Sequence, residues 1–407
     1  MLTNLKENRP RPSVSALASE LRRRNDLTGG VNDEEVAKLC HDLVFSKKEY
    51  RYLSKAELER ISHLVFCSLR CELEILQDLA DDSEVSEIMI NGINHIFYEK
   101  HGSIHRANIE FESPEQLESI IQRLAAKVGR EMNDLNPIVD ARLSDGSRIN
   151  AVNSNIAIDG PILTIRKFNQ SRMTMEDLIG RGDITAQASE FLKELVEAGY
   201  NMFVSGGTSS GKTTFLNVLS DFIPSDERVI VIEDSAELQI RNHENLVRME
   251  SKAANAQGKG EVTIRELIKS SLRMRPDRII VGEVRGDEVV DMLAAMSTGH
   301  DGSLSTGHAN SPAGMIGRLE TLHIAASGFP MQAVRSQIAG AIEIFIHLQR
   351  FAGGHRKVTE ISEVCGIKDG EIVLNKIFSY DPERGLCRVG DGLQNIEKLN
   401  MYYAKRL

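Results

Sequence analysis

In the stretch SGGTSSGKTTFLNVL, Ser205 to Leu219, Gly206 is followed by four residues and then by Gly211-Lys212-Thr213. That spacing is the phosphate-loop (Walker A) pattern. Gly206, Gly207 and Gly211 allow the backbone to turn its N–H groups toward phosphate oxygens with no side chain in the way. Lys212 can reach β- and γ-phosphates, and the Thr213 hydroxyl can ligate Mg²⁺. Thr208, Ser209, Ser210 and Thr214 complete the loop's polar lining. ATP with Mg²⁺ is the expected ligand. The loop marks a phosphate binder but leaves the work open: a small-molecule kinase, a transporter, a DNA motor and a secretion motor all use it.

Three more groups of reactive residues follow apolar runs. Glu233 and Asp234 end RVIVIED, Glu283 and Arg285 lie just past the apolar run of DRIIVGEVRG, and His300 and His308 lie within STGHDGSLSTGHANS. Ligands of α/β sheets bind beyond the carboxyl ends of strands, so all three groups are expected to converge on the phosphate loop. A hydrolase of this kind needs one carboxylate near the Mg²⁺ shell and another to position the attacking water. Glu233 and Glu283 can fill those roles, and the glycine-rich segment can sense the γ-phosphate through its N–H groups and hydroxyls. Plainer explanations compete: Asp234 as a helix cap, His300 with Asp301 as a turn pair, the glycines as tight turns.

These residues need a scaffold of strand ends. NMFVSG before the loop reads as a buried strand, Asn201 to Val204, and TTFLNVLSDFI after it as a helix with Phe215, Leu216 and Leu219 on one face. From Ala186 onward helices alternate with the strands NMFVSG, RVIVIED, DRIIVGEV, GSLSTGHA and IEIFIHL, which predicts a mainly parallel sheet. The tail KVTEISEVCGIKDGEIVLNKIFSYDPERGL reads as antiparallel strands. Upstream, residues 76–168 form an α+β unit: short strands within Ser83–Phe111, a helix capped by Ser113 with Pro114 first, a hairpin turning at Asp145-Gly146, and the strand GPILTIRKF. Residues 169–185 read as a linker holding one short helix, and residues 186–407 as the phosphate-loop domain. Residues 1–75 are an extension, flexible over 1–30 and then helical, with a capping box at Ser54 and Glu57.

The net charge is −10, from 49 basic and 59 acidic residues, which argues against a nucleic-acid partner. Residues 1–70 alone carry 13 Lys/Arg against 10 Asp/Glu. Arg22, Arg23 and Arg24 form a basic run that reads first as a solvated helix end. Cys40, Cys67, Cys71, Cys365 and Cys387 lack the paired knuckles of a zinc site and are expected to be reduced thiols. No signal peptide and no run of 18 apolar residues is present, so a cytoplasmic location is expected, with any membrane role exerted through partners.

The ordered motifs GGTSSGKTT, VIEDSAEL, RMRPDRIIVGEVRG and STGHDGSLSTGHANS resemble the type II/type IV secretion ATPases. The phrases SEIMINGINHIFYEKHG, DARLSDGSRINAV, AIDGPILTIRKF and GHANSPAGMIGRLETL bring the resemblance closest to the CpaF-type assembly ATPases of Flp/Tad pili, over about residues 75–370. The resemblance implies a RecA-like P-loop ATPase domain preceded by a PAS-like α+β domain and a helical N-terminal extension. It implies a homo-hexamer at the cytoplasmic face of the inner membrane, acting on inner-membrane pilus platform proteins. By the same resemblance, Glu233 is the favoured base, Glu283 the Walker B glutamate, and His300 and His308 the His-box pair. Arg148 and Arg166 are nucleotide-reaching arginines, with Arg285 joining the network. Gly307 departs from the pattern, which has a β-branched residue between Thr306 and His308; glycine there is expected to loosen the segment.

A conjugative secretion ATPase is the nearest alternative, and a non-catalytic nucleotide-binding scaffold is the other. An ABC-type subunit would need a second signature such as LSGGQ, which the sequence lacks.

Overall fold

The structure is a computed structural model and describes residues 12–24, 31–168, 173–252, 254, 259–390 and 392–406. Much of the segment expected to be flexible, and the first four residues of the expected linker, lie outside these. The chain divides into two compact units, Met1–Asn169 and Gln170–Leu407.

The first unit opens with helices Val14–Arg24, Asp33–Ser46 and Lys55–Arg70. Their apolar faces pack Leu17, Leu21, Val36, Cys40, Val44 and Val65 together. The Ser54–Glu57 capping box forms as expected, closing the first turn of the third helix. A six-stranded antiparallel sheet follows: β1 (Val85–Asn91), β2 (Ile96–Lys100), β3 (Ser103–Arg106), β4 (Ile138–Arg142), β5 (Arg148–Val152) and β6 (Ile162–Arg166), in the order β3-β2-β1-β6-β5-β4. Helix Pro114–Lys127 covers one face, burying Leu117, Ile120, Ile121 and Leu124 against Ile88, Ile165 and Ile149. Ser113 occupies the cap position without a side-chain capping bond, a correction to its expected role. The core of this layer reaches back to Leu73, Ile75 and Leu76, so a boundary at residue 75 would cut through packed side chains.

The second unit holds β7 (Met202–Gly206), β8 (Val229–Glu233), β9 (Leu246–Glu250), β10 (Arg278–Val281), β11 (Leu304–His308), β12 (Ile344–Arg350), β13 (Arg356–Lys368), β14 (Glu371–Asp381) and β15 (Gly385–Arg388). They make one sheet, β15-β14-β13-β12-β7-β11-β10-β8-β9. β12, β7, β11, β10, β8 and β9 run parallel, and β13 to β15 continue the sheet antiparallel. The central strands are buried throughout, as a sheet covered on both faces requires. One face packs Met202, Val204, Phe215, Leu216, Ile344 and Leu348. The other packs Phe203, Ile230, Ile279, Met315 and Phe345. No described helix is long and apolar enough to cross a membrane.

Candidate functional site

The phosphate loop leaves the buried end of β7 and enters helix Lys212–Ser220. Gly211 sits at φ +93° immediately before the helix, a left-handed conformation that a side chain would strain. The first turn of the helix presents its N–H groups outward, where the helix dipole favours an anion. Lys212 is buried, and its Nζ donates to the carbonyls of Gly206 (3.2 Å) and Gly207 (2.9 Å). Ser210 Oγ is buried with no hydrogen-bond partner. A glycine-lined turn, a buried cation and an unsatisfied hydroxyl at a helix N-terminus fit a triphosphate.

Parallel register brings the next motifs alongside. His308 pairs with Gly206 at the carboxyl end of β11. Its Nδ1 is 3.3 Å from Lys212 Nζ, and its Nε2 is 2.9 Å from Glu283 Oε1. Glu283 Oε2 accepts from Arg285 at 2.8 Å, and Arg285 also lies 3.8 Å from Asp234. One charged chain therefore runs from the phosphate loop across three strand ends: Lys212, His308, Glu283, Arg285, Asp234. Burial and then Lys212 hold the His308 imidazole below its ordinary value, against the pull of Glu283. The turn bearing Arg285 is fixed by buried Glu288, whose Oε1 accepts from the N–H of Arg285 (2.6 Å) and Gly286 (2.8 Å).

Glu233 ends β8, buried, with Oε1 accepting from the N–H of Glu237 and Leu238, both at 2.9 Å. Its carboxyl is raised above the ordinary value, chiefly by burial. Burial, and not the like charge of neighbouring Asp234, is the main cause. Asp234 is not a helix cap either: it turns toward Ser251 Oγ at 3.0 Å and toward Arg285.

His300 does not join the cluster. It precedes β11, whose Leu304 pairs with Met202 at the amino end of β7. A strand advances about 3.3 Å per residue, so His300 lies more than roughly 13 Å along the sheet from His308. His300 Nδ1 lies 3.2 Å from the Ala295 carbonyl at the end of helix Val289–Met296. Neighbouring Asp301 pairs with Lys398 at 2.8 Å. The segment's hydroxyls are likewise turned away from a ligand: Ser303, Ser305 and Thr306 donate to the carbonyls of His300 (2.8 Å), Val281 (2.9 Å) and Gly282 (2.7 Å). Only the His308 end of the segment reaches the phosphate loop.

Gly307 is packed rather than loose. A Cβ there would meet Met315 at 2.8 Å and Phe203 at 2.9 Å, so these larger neighbours occupy the volume of the missing branched side chain. Gly307→Val should overpack the core at a cost of about 1–3 kcal/mol. Thermal unfolding should show a Tm several degrees lower; an unchanged Tm would refute this packing.

In the first unit, Arg148 and Arg166 are direct partners across β5 and β6. Arg142, opposite Arg148, and Glu87, opposite Arg166, complete a row on the sheet face away from helix Pro114–Lys127. Like charges side by side are destabilising in a sheet, and Glu87 sets an opposite charge beside Arg166. Arg142 was not singled out from the sequence. Its signal is its place opposite Arg148 across the Asp145-Gly146 turn.

The model of the family described as "Type II/IV secretion system protein" matches residues 71–369. A Mycobacterium tuberculosis protein provisionally named for conjugal transfer is 36% identical over 318 residues, covering 77% of this chain and 89% of that relative. The conjugal transfer protein TrbB of Rhizobium radiobacter is 32% identical over 71% of this chain and 86% of its own. Among solved structures, the pilus retraction motor PilT with bound ADP aligns with TM-score 0.52 at 19% identity, over 82% of this chain and 88% of that one. The parallel sheet, the phosphate loop and the acidic strand ends thus carry a RecA-like ATPase fold, and the chain belongs to the type II/IV secretion system protein family.

Proposed function

We propose that this chain is an ATP-hydrolysing motor subunit. The single observation that carries this reading is the continuous run Lys212–His308–Glu283–Arg285 beside the phosphate loop. A phosphate binder alone needs the loop. A hydrolase also needs carboxylates and a polar relay where the γ-phosphate and its water lie. Lys212 and the loop residues Gly206 to Thr214 bind the triphosphate; Thr213 and Glu283 supply oxygen donors for Mg²⁺, which when bound neutralises developing phosphate charge. Glu233, buried and raised in proton affinity, serves as base toward water, and His308 links the loop to Glu283. Mg²⁺-dependent phosphate release from ATP tests the reading, and a chain that binds ATP without turnover would be the scaffold instead.

The motor reading extends to a homo-hexameric ring that drives Flp/Tad pilus assembly through inner-membrane platform proteins from the cytoplasmic face. The motif phrases of residues 75–370 support that branch. Conjugative secretion is the second reading, favoured by the names of the relatives in Mycobacterium tuberculosis and Rhizobium radiobacter. Adjacent genes for two small polytopic platform proteins and a short pilin would decide for the pilus.

Arg148 and Arg166, side by side outside the phosphate-loop unit and suited to phosphate, are the motivation for a nucleotide-responsive ring. Light scattering should give a mass about sixfold that of the monomer with a non-hydrolysed ATP analogue, in keeping with closed rotational symmetry. A monomer at every concentration contradicts it. Because the α+β core begins at Leu73, a chain starting at Glu72 should fold and keep its phosphate release. Loss of turnover in that folded chain would give the helical extension a catalytic role.

A further inference from the structure

Helix Lys55–Arg70 carries His63 and Cys67 four residues apart, one above the other on the same face. Asp78, on the short helix Gln77–Asp81, meets that face. His63 Nε2 is 2.7 Å from Asp78 Oδ1 and 3.5 Å from Cys67 Sγ. One donor atom from each of the three residues lies within 4.8 Å of the others. Zinc bonds of about 2.0 Å to nitrogen and 2.3 Å to sulfur set tetrahedral ligand atoms roughly 3.3–3.7 Å apart. The cluster reaches that spacing with side-chain adjustments of about an ångström.

Cys71 stands one turn further along the same stripe, its N–H on the Cys67 carbonyl at 2.8 Å. Its sulfur lies outside the group of donor atoms that are within 4.8 Å of one another. The two buried cysteines of the bundle differ in surroundings. Cys40 is part of the hydrophobic cluster, whereas Cys67 is not and its sulfur faces the His63–Asp78 pair.

We propose that His63, Cys67 and Asp78 form a three-ligand zinc site in the N-terminal unit, its fourth position open to water. An N, S, O set at this spacing is a borderline-soft donor set that selects zinc over Mg²⁺ or Ca²⁺. The ligands come from the last helix of the three-helix bundle and from the helix that leads into β1, so the ion ties the bundle to the α+β layer. The site is separate from the phosphate loop and does not depend on the proposed motor function.

The test uses the full-length chain, stripped with chelator and free of nucleotide, titrated with cobalt(II). The expected result is one equivalent bound with a thiolate-to-cobalt charge-transfer band and the visible bands of a tetrahedral ion, displaced by one equivalent of zinc. Zinc should also raise the Tm of the native chain. Cys67→Ala and His63→Ala should lose the bands and the Tm response, whereas Cys365→Ala should keep both. His63 and Asp78 side chains are 51% and 64% exposed, so His63→Ala and Asp78→Asn decide the matter even if Cys67→Ala fails to fold. Bands that persist in His63→Ala and Asp78→Asn, or no cobalt bound by the native chain, overturn the site.

Discussion

Lys212→Ala should weaken ATP binding by about 1.5–3 kcal/mol, roughly 10–150-fold in Kd, the usual worth of a hydrogen bond to a charged group. The buried ammonium bonds two loop carbonyls and lies against His308. Those carbonyls are neutral acceptors, and a triphosphate in the loop offers charged ones. The interaction is therefore made on binding, before any chemistry, and its loss must appear in affinity. Fluorescence titration with a labelled nucleotide reads it directly. The fold should survive, because the packing of helix Lys212–Ser220 rests on Phe215, Leu216 and Leu219. An unchanged Kd in Lys212→Ala would place the nucleotide elsewhere.

Glu233→Gln should keep nucleotide affinity and lose turnover by about 10²–10⁴-fold, the range for a missing general base. The substitution is nearly isosteric. Its remaining amide oxygen can still accept from Glu237 and Leu238, so the loop after β8 keeps its shape. What disappears is a carboxylate whose proton affinity burial has raised above the ordinary value of 4.5. A base works only when ionised, so turnover in the native chain should fall as pH drops through that raised value. The acid limb of the pH profile should therefore lie above 4.5. In the variant that limb should vanish along with most of the rate. Loss of affinity in parallel with rate would instead mark Glu233 as a binding residue.

How far the sequence foretold this arrangement depended on whether a residue's role is local. The phosphate loop was legible because its glycines, lysine and flanking strand and helix are contiguous. The parallel strands were legible as apolar runs, except β9, whose half-exposed pattern gives little contrast at a sheet edge. The convergence of Glu283 and His308 followed from both ending strands. His300 misled for the same reason: it shares the motif of His308 but lies at the other end of β11, and motif spacing does not say which side of a strand a loop falls on. The burial that raises the proton affinity of Glu233 was not legible, since it depends on the neighbours that the fold assembles. The Arg142–Arg148–Arg166 row and the partners of Gly307 come from cross-strand and sheet-on-helix packing between distant residues, and no local pattern reports them.

The central claim is that the cluster beside the loop hydrolyses ATP with Glu233 as base and Glu283 at the Mg²⁺ shell. Phosphate release and nucleotide affinity, measured together on the native chain, Glu233→Gln and Glu283→Gln with Mg²⁺, test it most directly. The account predicts Mg²⁺-dependent release by the native chain, near-native affinity with turnover down by about 10²–10⁴-fold in Glu233→Gln, and a weakened Mg²⁺ affinity, with more Mg²⁺ needed for release, in Glu283→Gln. Normal hydrolysis by Glu233→Gln, with Glu283→Gln binding Mg²⁺ and ATP tightly but inert, would contradict it and exchange the two roles.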